Sequence, residues 1–143
     1  MAITVEEVRN FGDRWLTTVM NRGTPAEQAA FFLDPDTRLY VQQGGVVMTF
    51  EDNYRVHCQL RNEFHQMGDF TVTPLNDSPE RVLAKGVFYW QAEFADNRAP
   101  NVYKAMVAEE WMLERIPSGE LKFLHYMSLF HQPLPDSAEL SLS

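Results

Sequence analysis

Only one cysteine, Cys58, occurs in the 143 residues. No internal disulfide can form, and the expected role of Cys58 is that of a small buried hydrophobe and not of a nucleophile. Basic residues are scarce as well: 12 Lys and Arg stand against 20 Asp and Glu, for a net charge of -8 and a pI near 4.9. Such a surface repels polyanions, which sets nucleic-acid binding aside. Long apolar runs are missing too, with nothing near the roughly 18 residues that a membrane span needs. The start Met1-Ala2-Ile3-Thr4 has neither the basic region nor the apolar run of a secretory leader. His57 and His65 have no acid at metal-ligand spacing, so no metal site is expected. A soluble cytoplasmic domain, without membrane or nucleic-acid partners, is the expectation.

What the chain does have is aromatic residues, 13% of the total within an apolar fraction of 45%. Aromatics in excess of core needs line pockets or interfaces. A chain of this length closes one core, expected over residues 1–132. The proline-punctuated tail 133–143 is expected to be flexible or draped on the surface.

Thr4 with Glu7 reads as a capping box. It opens a helix whose Val5, Val8, Phe11, Trp15, Leu16 and Val19 share one face, and Gly23 follows its end. Thr24, Pro25 and Glu27 start a second, short helix over 25–33. Residues 37–41 alternate as a strand, Gly44-Gly45 turns the chain, and Val46-Val47-Met48 returns. Thr49 with Asp52 caps a third helix expected to run to about Met67 and to stop at Gly68. Beyond Gly68 the period changes from 3.6 to 2. Strands are expected over 70–75, 81–94, 102–116 and 121–131, giving a bent antiparallel sheet with helices on its concave face. The fold class is α+β.

Alternation sorts the faces of the late strands. On the third of them Tyr103, Ala105, Val107, Glu109, Trp111 and Leu113 point inward, so Glu109 is the acid on an apolar row. On the last, Leu121, Phe123, His125, Met127, Leu129 and His131 form the inward set. Across the 117–119 turn His125 then lies diagonal to Glu109, within reach of long side chains. A carboxylate beside an imidazole raises its basicity, as proton abstraction next to a carbonyl requires. The alternative is that a bulge turns Glu109 outward and that His125 is a core or interface histidine.

On the third helix Tyr54, His57, Arg61, Phe64 and His65 share a side, so Tyr54 and His57 could enter the pocket as donor and base. Otherwise Val56, Leu60, Phe64 and Met67 form the buried stripe, with the histidines at its margin. Phe88, Trp90 and Phe94 share one face of their strand, as core or as the floor of a pocket for a flat apolar ligand. Leu124, Tyr126 and Phe130 form an apolar patch on the outer face, the kind that serves an interface.

In element order and length, residues 4–132 resemble the nuclear transport factor 2-like superfamily, the cone fold shared by ketosteroid isomerases, scytalone dehydratase, limonene epoxide hydrolases and SnoaL-like polyketide cyclases. The resemblance implies a pocket between helices and sheet, and a homodimer through the outer sheet face. In ketosteroid isomerases a general-base aspartate lies near the segment that here carries Asp34 and Asp36, although both flank Pro35 as turn formers do. Trp15 stands where those enzymes tend to carry tyrosine, and the acid, arginine, acid arrangement of the epoxide hydrolases has no match on the late strands.

The expected function is cofactor-independent proton transfer, of isomerase, cyclase or dehydratase type, on an apolar cyclic or polyketide-like molecule. His125 or His57 would be the base, Glu109 its orienter or an acid, and Tyr54 or Tyr40 a donor to the developing oxyanion. Trp15, Tyr40, Phe88, Trp90, Tyr103, Trp111 and Met127 would hold the substrate. The alternative is a non-catalytic binding or dimeric interaction module, its pocket filled by Trp15, Phe88, Trp90 and Trp111.

Overall fold

The computed structural model describes residues 2–76 and 78–141. The chain runs α1-α2-β1-β2-α3-β3-β4-β5-β6, three helices and a six-stranded sheet of order β2-β1-β6-β5-β4-β3. The expected α+β cone is present. No helix among the described residues is long and apolar enough to cross a membrane.

Helix α1 (Val5–Met20) starts where the Thr4 hydroxyl accepts the Glu7 amide, and it buries Val8, Phe11, Trp15, Leu16 and Val19. The Glu7 carboxylate accepts from the Thr4 hydroxyl at 3.4 Å through one oxygen and pairs with Arg115 of the sheet at 2.6 Å through the other, tying the first turn to the far end of β5. Helix α2 (Pro25–Ala29) has the complete capping box of Thr24 and Glu27. It ends four residues before the expected boundary. The backbone of Phe31 and Leu33 bonds instead to Phe123 of the sheet, and those bonds replace the next helical turn. The hairpin forms as its glycines imply, β1 (Leu39–Val41) against β2 (Val46–Met48), with Gly44 and Gly45 both at positive φ.

Helix α3 (Phe50–Cys58) starts with a second complete box, Thr49 and Asp52. It stops nine residues short of Met67, because β3 (Leu60–Leu75) takes residues 60–67 into the sheet. Long-range pairing with β4 (Ser78–Phe94) overrides the local helical pattern. One extra β3 residue between Arg61 and Phe64, where Asn62 has φ 50°, sets Glu63, His65 and Met67 on one face of the strand. Arg61, Phe64 and His65 therefore share no helical side with Tyr54 and His57. Of the expected turn before β4, Asp77 lies outside the described residues.

Strands β5 (Val102–Arg115) and β6 (Leu121–Pro133) complete the sheet, and β1 joins its free edge in parallel to β6. The inward row on β5 is the expected one, with Tyr103, Ala105, Val107, Glu109, Trp111 and Leu113 all buried. Strand β6 is different. Its register slips by one residue at Leu124 and again at Leu129. The first slip turns Tyr126 and Ser128 inward and His125 and Met127 outward; the second returns His131 to the inner face.

The core is aromatic. Phe11, Trp15, Phe32 and Phe123 meet at ring-centroid distances of 4.8–5.5 Å, and Trp111 stacks below on Phe70 and Phe123. After β6 the chain runs back beside β5. Leu134 donates its amide to the Lys104 carbonyl at 2.9 Å, and Ala138, buried, donates to Val102 at 2.8 Å.

Candidate functional site

The concave face of the sheet encloses a cavity of about 600 Å³. Trp15, Leu16 and Val19 of α1 form one wall, Asn53, Val56 and His57 of α3 a second, and the β1–β2 hairpin a third. The floor is Phe88, Trp90, Tyr103 and Val107 with the polar groups Glu109, Tyr126, Ser128 and His131. Glu139 and Leu140 of the tail complete the rim. The tryptophans thus leave room for a ligand, contrary to a filled cone.

Helix α3 is held over this floor by a buried amide clamp. Gln28, fully buried, donates to the carbonyls of Gly23 and Phe50 at 3.0 and 3.2 Å and accepts from Asn53 Nδ2 at 3.0 Å. Its three side-chain contacts fix α2 against α3 at the turn that presents His57.

His57 makes the strongest polar pair in the cavity wall. Its Nδ1 lies 2.8 and 3.0 Å from the two carboxylate oxygens of Glu63, whose side chain is only 1% exposed. Trp90 Nε1 donates to the same carboxylate at 3.0 Å. An anionic Glu63 places the proton of a neutral imidazole on Nδ1 and leaves Nε2 with a free lone pair. Nε2 has no hydrogen-bond partner among the described residues, and the ring borders the cavity.

Glu109 is the second polar centre, 3% exposed. Burial raises its pKa to about 7, while hydrogen bonds from the Tyr126 hydroxyl at 2.5 Å and from Trp111 Nε1 at 2.9 Å hold the rise in check. Around neutral pH Glu109 is therefore divided between its acid and its carboxylate. Tyr126 is itself pushed well above the usual phenol range, first by burial and then by the Glu109 charge. The Trp15 indole N–H is close enough to offset a little of that rise, yet it completes no hydrogen bond. Ser128 Oγ, opposite Glu109 in the β5–β6 register, is also buried without a partner among the described residues.

Next to Val107 on the same floor, burial lowers the pKa of His131 to about 4 and raises that of Tyr103 to about 12. His131 is thus neutral, and its Nδ1 shares a hydrogen bond of 2.9 Å with the Tyr103 hydroxyl.

The structure separates residues that strand alternation had joined. His125 is on the outer face, 3.7 Å from Glu110 and stacked on Tyr40 with centroids 6.0 Å apart. It cannot form a dyad with Glu109. Met127 and Tyr40 share that outer side, so neither reaches the cavity, and the slip at Leu124 is the physical cause for β6. Tyr126, expected outside, is inside for the same reason. Trp111 is fully buried beneath the floor, where it holds Glu109 and does not border the cavity. Tyr54 lies against the Cys58 thiol, which raises its pKa, and it does not border the cavity either. Trp15, His57, Phe88, Trp90, Tyr103 and Glu109 do border it.

Glu63 was missed because residues 60–67 read as helix. Its signal was the period-2 run Glu63, His65, Met67 after an asparagine, a residue that tolerates the left-handed bulge conformation. Among the described residues no three of His, Cys, Asp and Glu come together as a metal site.

No family model matches the chain, and no curated protein matches it in sequence. Solved structures do match in shape. A nuclear transport factor 2-like superfamily protein from Salmonella enterica serovar Typhimurium superposes with TM-score 0.67 at 12% identity, over 86% of this chain and 87% of that one. A protein provisionally named a scytalone dehydratase, from Novosphingobium aromaticivorans, gives 0.68 at 11%, over 96% and 93%. A hexachlorocyclohexane dehydrochlorinase from Novosphingobium barchaimii gives 0.64 at 15%, over 91% and 89%. With helix order, sheet and cone in agreement, the chain has the fold of the nuclear transport factor 2-like superfamily.

Proposed function

We propose that the protein is an enzyme that removes a proton from carbon in an apolar ring compound, with His57 as general base and no cofactor. The observation that carries this reading is the His57–Glu63 pair in the cavity wall, with Nε2 free of protein partners. Glu63 orients the ring and stabilises the imidazolium that forms when Nε2 takes the proton. The electron pair left on carbon moves into an adjacent carbonyl as an enolate, or expels a leaving group from the neighbouring carbon. Protonated Glu109, beside Tyr126, and the unpartnered Trp15 N–H and Ser128 hydroxyl are suited to meet the developing negative charge or the departing group. Two of the structural neighbours are named for eliminations, of water and of hydrogen chloride. An isomerisation would return the proton to a second carbon, and a cyclisation would close the ring through the same carbanion.

Deuterium exchange tests the step without knowledge of the natural substrate. With 2-tetralone, a flat cyclic ketone, as probe in D2O, exchange next to the carbonyl should exceed the buffer rate. His57→Asn should remove most of that excess, about 10²-fold or more, and Glu63→Gln about tenfold. Wild-type exchange no faster than buffer, or an unchanged rate in a folded His57→Asn variant, would overturn the reading.

Assembly as a homodimer through the outer sheet face is proposed alongside. Val87, Ala108 and Phe130 are neighbours across β4, β5 and β6, and Val87 and Phe130 are 37% and 49% exposed. The single unpaired cysteine fits action in a reducing compartment such as the cytoplasm.

A further inference from the structure

The rim of the cavity contains a segment that the catalytic reading does not use. Beyond Leu134 the chain is fixed at three more points: Lys104 donates its amide to Ser137 Oγ at 2.8 Å, Ala138 donates to the Val102 carbonyl, and Arg98 donates to the Ser141 carbonyl at 2.7 Å. Arg98 is itself fixed, since its guanidinium lies 3.7 Å above the Phe94 ring and is paired with Asp96. Glu139 and Leu140 are held between these anchors at the cavity border. The Glu139 carboxylate has no ion-pair or hydrogen-bond partner among the described residues.

The rest of the lining makes this acid matter. Among the described residues no lysine or arginine borders the cavity, and the ionisable groups that do are Glu109, Glu139, His57, His131, Tyr103 and Tyr126. His57 has Glu63 behind it as a counter-charge. His131 is neutral at physiological pH. An anionic ligand in the site would find no lysine or arginine among the described lining residues and would share the lining with the Glu139 carboxylate.

We propose that Glu139 is a specificity-determining residue that selects uncharged or cationic ring compounds and rejects carboxylates and phosphates. This deepens the catalytic reading and rests on the same cavity, but it is a statement about binding and can stand or fall by itself. A unit charge on a ligand about 6 Å from Glu139, at an effective dielectric constant of about 40, changes affinity by about tenfold. The chain's net charge of -8 adds in the same sense.

Three naphthalene probes of one shape separate the terms: 2-naphthalenemethanol, 2-naphthylmethylamine and 2-naphthoate, titrated against tryptophan fluorescence at low salt. In the wild type the alcohol and the amine should bind, and the carboxylate should bind at least tenfold more weakly than the alcohol. Glu139→Gln should narrow the gap. Glu139→Lys should reverse the order of amine and carboxylate while leaving the alcohol within about twofold, which a merely structural role could not do. His57→Asn should keep the wild-type order, so loss of exchange chemistry and loss of charge selection are read separately. Equal binding of carboxylate and alcohol by the wild type, an order unmoved by Glu139→Lys, or no binding of any probe would overturn the proposal.

Discussion

Two groups of the cavity floor, Glu109 and His131, respond to pH in opposite senses. Glu109 titrates near 7 in the folded chain against a usual 4.5, so the folded state holds the proton more tightly. Its contribution to stability is complete below about pH 4.5 and is lost as pH rises through 7, at most on the order of 3 kcal/mol. His131 titrates near 4 against 6.5. Its contribution is complete above pH 6.5 and is lost as pH falls through 4. Between 4.5 and 6.5 the two slopes cancel. Urea midpoints measured from pH 4 to 8 should therefore be nearly flat in that window for the wild type. Glu109→Gln should instead rise with pH across it and show no decline near 7. A Gln variant with the wild-type profile would mean that Glu109 does not carry the raised pKa.

At the level of elements, the helix starts were legible because capping is local: Thr24 with Glu27 and Thr49 with Asp52 close within three residues. The end of α3 was not, because leucine, phenylalanine and methionine at 60, 64 and 67 fit a helical stripe, and a ladder to β4 over some thirty residues decides the matter. The inward row of β5 could be read because that strand contributes no extra residue between Val102 and Arg115. On β6 alternation held only to Phe123, so the one site pair that depended on later register, His125 with Glu109, was the one that failed. His57 could be named from the helical face, whereas its partner Glu63 required the strand. Close approach of elements is equally invisible in the sequence. Gly12 lets α1 lie against β5, since a β-carbon there would overlap the buried Trp111 indole. Gly12→Ala should thus lower stability by about 2 kcal/mol, a fall in Tm of roughly 4–8 °C, despite the helix propensity gained. Calorimetry showing an equal or higher Tm would contradict that packing argument.

For the molecule as a whole, the cone leaves each face of the sheet a separate task. The inner face carries the groups proposed for proton transfer, and the outer face carries Val87 and Phe130 for the proposed dimer. Sedimentation equilibrium should give twice the 16.6 kDa chain mass for the wild type and one chain mass for Val87→Lys with Phe130→Lys. A monomeric wild type would leave that face without the proposed partner. Charge works at the same scale, through a net charge of -8 on a chain whose cavity has no lysine or arginine among its described lining residues.

The two slips on β6 also give that strand slack. Between Leu121 and Pro133 it has two residues more than its partner needs, one at Leu124 and one at Leu129. Loss of Leu124 would draw β6 straight and still leave Tyr126 facing the cavity, because the spare residue is the one removed. β5 has no such reserve: loss of Glu110 would force Glu109 and Trp111 onto opposite faces. Length changes are therefore tolerable in one strand of the site and ruinous in its neighbour, although the two lie side by side in the same sheet.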